Sequence, residues 1–198
     1  VTQNTSFTYA GPIIGSGGLQ IGANNFNVGV ITLTGTNTYT GGTFIGDNTL
    51  VLGDGVTPVS GAIAGNVQFV NNFTVAQDNQ RMISFNRPDD FTFGGAITTN
   101  FTSAQNNLGI VQQNGTGRLT LTGNNTYGGG TVINAGILQV GAGGATGTLG
   151  SGPVTDHSFL VFNRSGTLAV ATVTGIGSIT NIGTGTVTLN GNSSVFGD

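Results

Sequence analysis

The side chains able to do acid–base, nucleophilic or metal chemistry are few in this chain. Seven aspartates (Asp47, Asp54, Asp78, Asp89, Asp90, Asp156 and Asp198) are the whole carboxylate inventory, with no glutamate and no lysine. One histidine, His157, and four arginines, Arg81, Arg87, Arg118 and Arg164, complete the charged set. Glycoside hydrolysis needs two carboxyl groups facing one another across the scissile bond. Only Asp89 and Asp90 are close in sequence, and neighbours on a strand point to opposite faces. After Arg87-Pro88 this pair reads as a turn, where aspartate bonds local amides. Asp156-His157-Ser158 has the residue types of a triad, but three consecutive residues cannot align as orienter, base and nucleophile. His157 is therefore expected on a surface loop.

Other ligand motifs fail in the same way. Gly128-Gly129-Gly130 and Gly143-Gly144 lack the aspartate that follows glycines in calcium-binding nonapeptides. Gly41-Gly42 is followed by no lysine and no helical pattern, so it is not a phosphate loop. The absence of cysteine removes disulfides and thiolate metal sites. Arg87 and Arg164 occupy matched Phe-Asn-Arg segments; each could hold a ligand, or bond carbonyls at a corner of the fold, and the second is the expectation. Outward threonines such as Thr32, Thr34, Thr36, Thr38 and Thr40 do not recur at a coil-by-coil spacing that an ice-binding array needs. No catalytic, cofactor-binding or metal residue is assigned, and no cofactor is expected.

What positions these residues is a repeat. The stretch Gly29-Val30-Ile31-Thr32-Leu33-Thr34-Gly35-Thr36-Asn37-Thr38-Tyr39-Thr40-Gly41-Gly42-Thr43 returns as Gly117-Arg118-Leu119-Thr120-Leu121-Thr122-Gly123-Asn124-Asn125-Thr126-Tyr127-Gly128-Gly129-Gly130-Thr131, at an offset of 88. A third start, Gly185-Thr186-Val187-Thr188-Leu189-Asn190-Gly191, follows 68 residues later. The signatures span 29–55, 117–143 and, truncated, 185–198. Phe85-Asn86-Arg87 and Phe162-Asn163-Arg164 are 77 apart. Length changes therefore fall between Gly53 and Ile83 and between Ile97 and Gly115, so loops at 54–82 and 98–114 are expected to protrude.

Alternation within the signature is that of a half-buried strand: Leu33 and Leu121 face a core while Thr32, Thr34, Thr120 and Thr122 lie outside it. Further strands read at Leu50–Leu52, Val67–Phe69, Phe73–Val75, Ile83–Phe85, Phe91–Phe93, Leu138–Val140, Leu160–Phe162 and Leu168–Val170. With 37 glycines, 6% charged residues and many β-branched side chains, the 198-residue chain reads as almost all β. Whole-unit repetition with tolerated insertions favours a solenoid over a sandwich. The fold expected is a parallel β-helix over 1–198, one continuous segment. At roughly 20–25 residues per coil it would have about eight to ten coils and a length of about 40–50 Å.

Gly117–Gly123 with Asn125-Thr126-Tyr127, Gly129-Gly130-Thr131 and Gly136–Gly141 resembles the autotransporter-associated β-strand repeat of bacterial passenger domains. Gly150–Val154 followed by Leu160–Arg164 is similar to the stretch that joins such repeats. This resemblance implies a right-handed, single-stranded parallel β-helix from a secreted or surface-anchored bacterial protein of the type V secretion class. The chain starts at Val1, which reads as a processing point or the cut end of a longer protein.

Three functions follow as expectations. First is a non-catalytic stalk or passenger segment, extracellular at the bacterial cell surface, presenting other regions or mediating contact and adhesion. Second is a self-assembling fibre subunit stacking head to tail. A polysaccharide-active β-helix enzyme comes third. The expected partners are further coils of the same protein or a second copy end to end, and a host or neighbouring cell surface. A net charge of −3 with four scattered arginines argues against nucleic acid. No apolar run approaches the roughly 18 residues of a membrane helix, so no membrane insertion by this segment is expected.

Overall fold

In the computed structural model, residues 6–22, 29–46, 48–70, 81–101 and 109–195 are described. Asp47, Asp78, Asp198 and the expected strand at Phe73–Val75 lie outside them, as do parts of both expected loops. Among the described residues there is no helix, and every strand pairing is parallel. The chain is a β-solenoid.

Its first face stacks nine strands. One inward row passes from coil to coil through Phe7, Ile31, Leu50, Ile83, Val111, Thr131, Val154 and Val173. That gives seven steps with three or four residues in register, then a shorter eighth that pairs Thr174 with Ser194. About seven turns is fewer than the eight to ten expected. The seven steps from Phe7 to Val173 average about 24 residues, near the top of the range assumed, and the eighth pairs only two residues. The coils from Leu50 to Ile83 and from Ile83 to Val111 take 33 and 28 residues, whereas Ile31 to Leu50 takes 19. Those two long coils hold the two sequence insertions.

A second face joins Phe91–Phe93, Arg118–Leu121, Ile137–Val140, Phe159–Phe162 and Ser178–Asn181. The third face is a four-stranded sheet in the early coils, and in the late coils the pair Thr167–Val170 with Thr186–Leu189. Between the faces runs one continuous core, from Ile21 through Leu33, Phe69, Phe93, Leu121 and Phe162 to Val173. Burying each such side chain contributes about 1.5–3 kcal/mol, and the parallel ladders satisfy the backbone groups that burial would otherwise strand.

The period-2 reading holds beyond the strands. From Leu33 onward the inward residues Gly35, Asn37 and Tyr39 are buried and Thr36, Thr38 and Thr40 are exposed. Leu121, Gly123, Asn125 and Tyr127 repeat the pattern against exposed Asn124 and Thr126. Each signature is thus a strand, an extended arm crossing a side that has no ladder of its own, and two more strands. Thr32, Thr34 and Thr122 are half-buried, but Thr120 is buried although it points away from the core. It lies in mid-sheet, with Thr92 on one side and Gln139 on the other.

Leu33 and Leu121 are both buried, at 2% and 0% exposure, but not on the same side of the solenoid. Val30–Leu33 belongs to the first face, Arg118–Leu121 to the second and Thr186–Leu189 to the third. Successive signatures start about three and a third turns apart, so each is rotated by one face relative to the last. The rotation is the same with the two long coils between the signatures and without them, so it follows from the number of strands passed and not from coil length.

Candidate functional site

The signature residues that look most like surface chemistry are internal fasteners. Asn37 is 3% exposed and accepts the Ile13 amide on Oδ1 at 3.0 Å, while Nδ2 donates to Ala62 O at 3.0 Å. It therefore bridges the preceding and following coils. Asn125 does the same in the second signature, accepting from Ile97 N at 2.8 Å and donating to Thr148 O at 2.6 Å. These bonds replace a ladder where the arm has no strand partner. The Tyr39 hydroxyl lies 2.6 Å from Thr43 Oγ1, and the Tyr127 hydroxyl 2.7 Å from Thr131 Oγ1, both pairs buried. Burial pushes the Tyr127 phenol up to about 12, although the Thr131 bond works the other way. Neither tyrosine is placed to be an acid or a nucleophile near neutral pH.

The matched arginines also have a shared role. Arg87 donates from Nη1 to Ser60 O at 2.7 Å, and Arg164 from its two terminal nitrogens to Gly147 O and Ala145 O. Both bond carbonyls, as expected, but they are buried, at 5% and 8% exposure, rather than on the coil surface. Each reaches from one coil to clasp the loop that follows the signature's last strand in the coil before. In both loops a glycine amide bonds the residue preceding the arginine: Gly55 N to Asn86 O at 2.9 Å, and Gly143 N to Asn163 O at 2.7 Å.

The clasp is constant while the tip differs. The first tip is Asp54-Gly55-Val56-Thr57-Pro58-Val59-Ser60, the second Ala142-Gly143-Gly144-Ala145-Thr146. Val56 and Val59 are 80% and 68% exposed, and Val59 sits at φ 55°, a strained position for a β-branched residue. Asp54 organises this tip. Its carboxylate accepts the Thr57 amide, the Thr57 hydroxyl and the Val56 amide, which hold its pKa down at about 2. Burial works against ionisation of Asp89, but the Arg87 guanidinium 2.6 Å away and the backbone amide of Val59 hold its carboxyl below the usual range. Arg87 also lies over the Phe91 ring, 4.5 Å from its centre.

The remaining candidates do not converge. Pro88 and Asp89 form a bend between strands, and Asp90 Oδ1 accepts the Arg118 amide at 3.2 Å. His157 is exposed, as expected of a surface loop residue. Among the described residues no three aspartate, glutamate, histidine or cysteine side chains group as a metal site would require.

Asp156 is the candidate that the sequence left least understood. It is fully buried in the inward row that also holds Leu52, Phe85, Gln113 and Ile133. Its Oδ1 accepts the Ser158 amide at 3.0 Å, and its Oδ2 has no partner. Burial raises its pKa, and the Ser158 amide and the nearby His157 only partly offset this. The folded chain therefore takes up its proton more readily than the unfolded chain. In that window the Asp156 contribution to stability falls as pH rises above about 4, and it is fully present only below the unfolded value. Asp156→Asn should flatten the decline of the thermal midpoint between pH 4 and 8 and raise the midpoint at pH 7. Superimposable pH profiles for the two proteins would refute the buried, proton-binding carboxyl.

Residues 28–52 and 111–140 match the passenger-associated transport repeat family. They overlap the two full signatures over 29–52 and 117–140. Over 133 residues the chain is 36% identical to the adhesin BmaC autotransporter of Brucella suis biovar 1 (strain 1330), an alignment covering 62% of this chain and 4% of that protein. The chain thus spans only a small part of the length of the relative it matches. No solved structure matches it.

Proposed function

We propose that this chain, which carries autotransporter passenger repeats, serves as a non-catalytic rod within the passenger of a surface-displayed or secreted bacterial protein, holding adhesive regions out from the cell. The observation that carries the reading is the use made of the signature. Asn37, Tyr39, Asn125 and Tyr127, the repeat's most distinctive side chains, are buried and committed to neighbouring coils or to their own corner. A sequence repeated for that purpose builds length and stiffness. The adhesin relative adds the surface setting.

A second reading, end-to-end self-association, is favoured by the cleft among Phe7, Tyr9, Ile13, Leu19, Ile21, Ile31 and Leu33 at the first described coil. Its apolar lining suits another coil of the same protein or of a second copy. One experiment addresses both readings. The 198-residue chain, purified and imaged by negative stain, should give discrete short rods; fused to an outer-membrane translocator, it should be labelled on intact cells without releasing reducing ends from polysaccharide. Filaments would move the fibre reading to the front. Polysaccharide cleavage, or globular particles, would overturn the rod.

A further inference from the structure

We propose that the third face carries a binding groove for a neutral oligosaccharide, with Phe44 as the platform against which a sugar ring stacks. A cavity of about 340 Å³ is lined by Thr40, Gly41, Gly42, Thr43, Phe44, Gly65, Asn66, Gln68 and Thr98. Thr43 and Ile45 on either side of Phe44 are inward and fully buried, so the ring projects to the outside, where it is half-buried. Along the sheet it stands between Gln20 and Gln68, with Thr98 one coil further on. The volume is at the small end for ligand sites, which suits a short stretch of a chain.

The chemistry of the lining selects the ligand class. A pyranose offers an apolar face of C–H groups, which packs on an aromatic ring, and a rim of hydroxyls, which needs neutral donors and acceptors. Asn66 uses Oδ1 for the Ala96 amide at 2.9 Å, and Gln68 uses Oε1 for Asn100 Nδ2 at 3.5 Å. Their NH₂ groups, with the hydroxyls of Thr40 and Thr98, are left to address a ligand. The lining has no charged side chain, so neither a uronate or sulfated glycan nor a cation finds a counter-ion there. Glycines at 41, 42 and 65 keep one wall low, with Gly41 and Gly65 exposed and the buried Gly42 bonded through its carbonyl to the Leu19 amide.

The repeat itself supplies the control. At an offset of 88, Phe44 corresponds to Val132, on a strand whose Tyr127–Thr131 bond matches Tyr39–Thr43. Val132 lies on the first face, between Gln112 and Thr155, so it is the signature, and not that spot on the solenoid, that accepts valine and does not require an aromatic ring. A half-exposed phenylalanine in a comb of amides and hydroxyls is accounted for by something that stacks on it.

The proposal deepens the adhesive-rod reading without depending on its geometry. Cellohexaose, chitohexaose and maltohexaose, with an oligogalacturonate as anionic comparison, should be titrated into the full chain by calorimetry and by ligand-observed NMR. At least one neutral hexaose should bind and the oligogalacturonate should not. Phe44→Val should weaken binding tenfold or more with an unchanged thermal midpoint, and Gln68→Ala should weaken it by less. Binding of no neutral hexaose, equal binding by Phe44→Val, or equal affinity for the anionic oligomer would each overturn the groove. None of these results bears on whether the chain forms rods, which imaging reads separately.

Discussion

Gly123→Ala should cost about 3 kcal/mol or more of stability, close to the largest effect a single methyl can have. A Cβ at Gly123 would stand 2.2 Å from Gly95 O and 2.7 Å from Gly95 C in the coil before. Both atoms are backbone and tied into the stack, so neither can step aside as a side-chain tip would. The first signature makes the same approach, with Gly35 against Gly11 O at 2.3 Å. Gly144→Ala is the internal comparison, since nothing lies within 4 Å of a Cβ there. It should change stability by no more than about 0.5 kcal/mol. Urea unfolding of the three proteins measures the contrast. If Gly123→Ala and Gly144→Ala unfold together, the corners do not touch as described.

Leu121→Ala is the second large effect, expected at about 2–5 kcal/mol through lost burial and the cavity left behind. Leu121 is fully buried and lies in register between Phe93 and Val140 on the second face. Its neighbours are fixed by two ladders, which limits collapse into the space. A cost below about 0.5 kcal/mol would remove Leu121 from the core.

Much of this was legible from alternation alone. Val30–Leu33, Thr49–Leu52, Arg118–Leu121 and Ile137–Val140 lie within a residue of where the pattern put them, because one face of each is buried and a slip would turn its leucines outward. The offsets of 88 and 68 located the long coils for the same reason: a solenoid absorbs an insertion in one coil without disturbing the next. The side of the solenoid on which each signature falls was not legible. It depends on how far the chain travels around the axis between signatures, which corners and loops set and local patterning does not record.

The polar interior was hidden too. Asn37, Asn125 and Gln113 look like surface residues until their partners are known. For the asparagines the partners in other coils are 23 to 28 residues away; for Gln113 they are the carbonyls of Gly115 and Gly117. Asp156 sits two residues after the inward Val154, so alternation could have placed it inside. It adjoins His157, which reads as a surface loop residue, and a carboxylate is an unusual occupant of an inward row. The arginines were legible in their pairing but not in their burial, because the carbonyls that make burial tolerable belong to the loop of another coil.

The rotation of successive signatures by one face gives the solenoid no front and no back. A signature begins on the first, second and third faces in turn, so no two of the three share an azimuth over the described turns. Whatever a signature or its clasped loop displays therefore climbs the shaft as a spiral staircase. Each of the three faces of the solenoid thus carries the start of one signature. Two shafts lying side by side find no long flat strip of matching chemistry along which to zip.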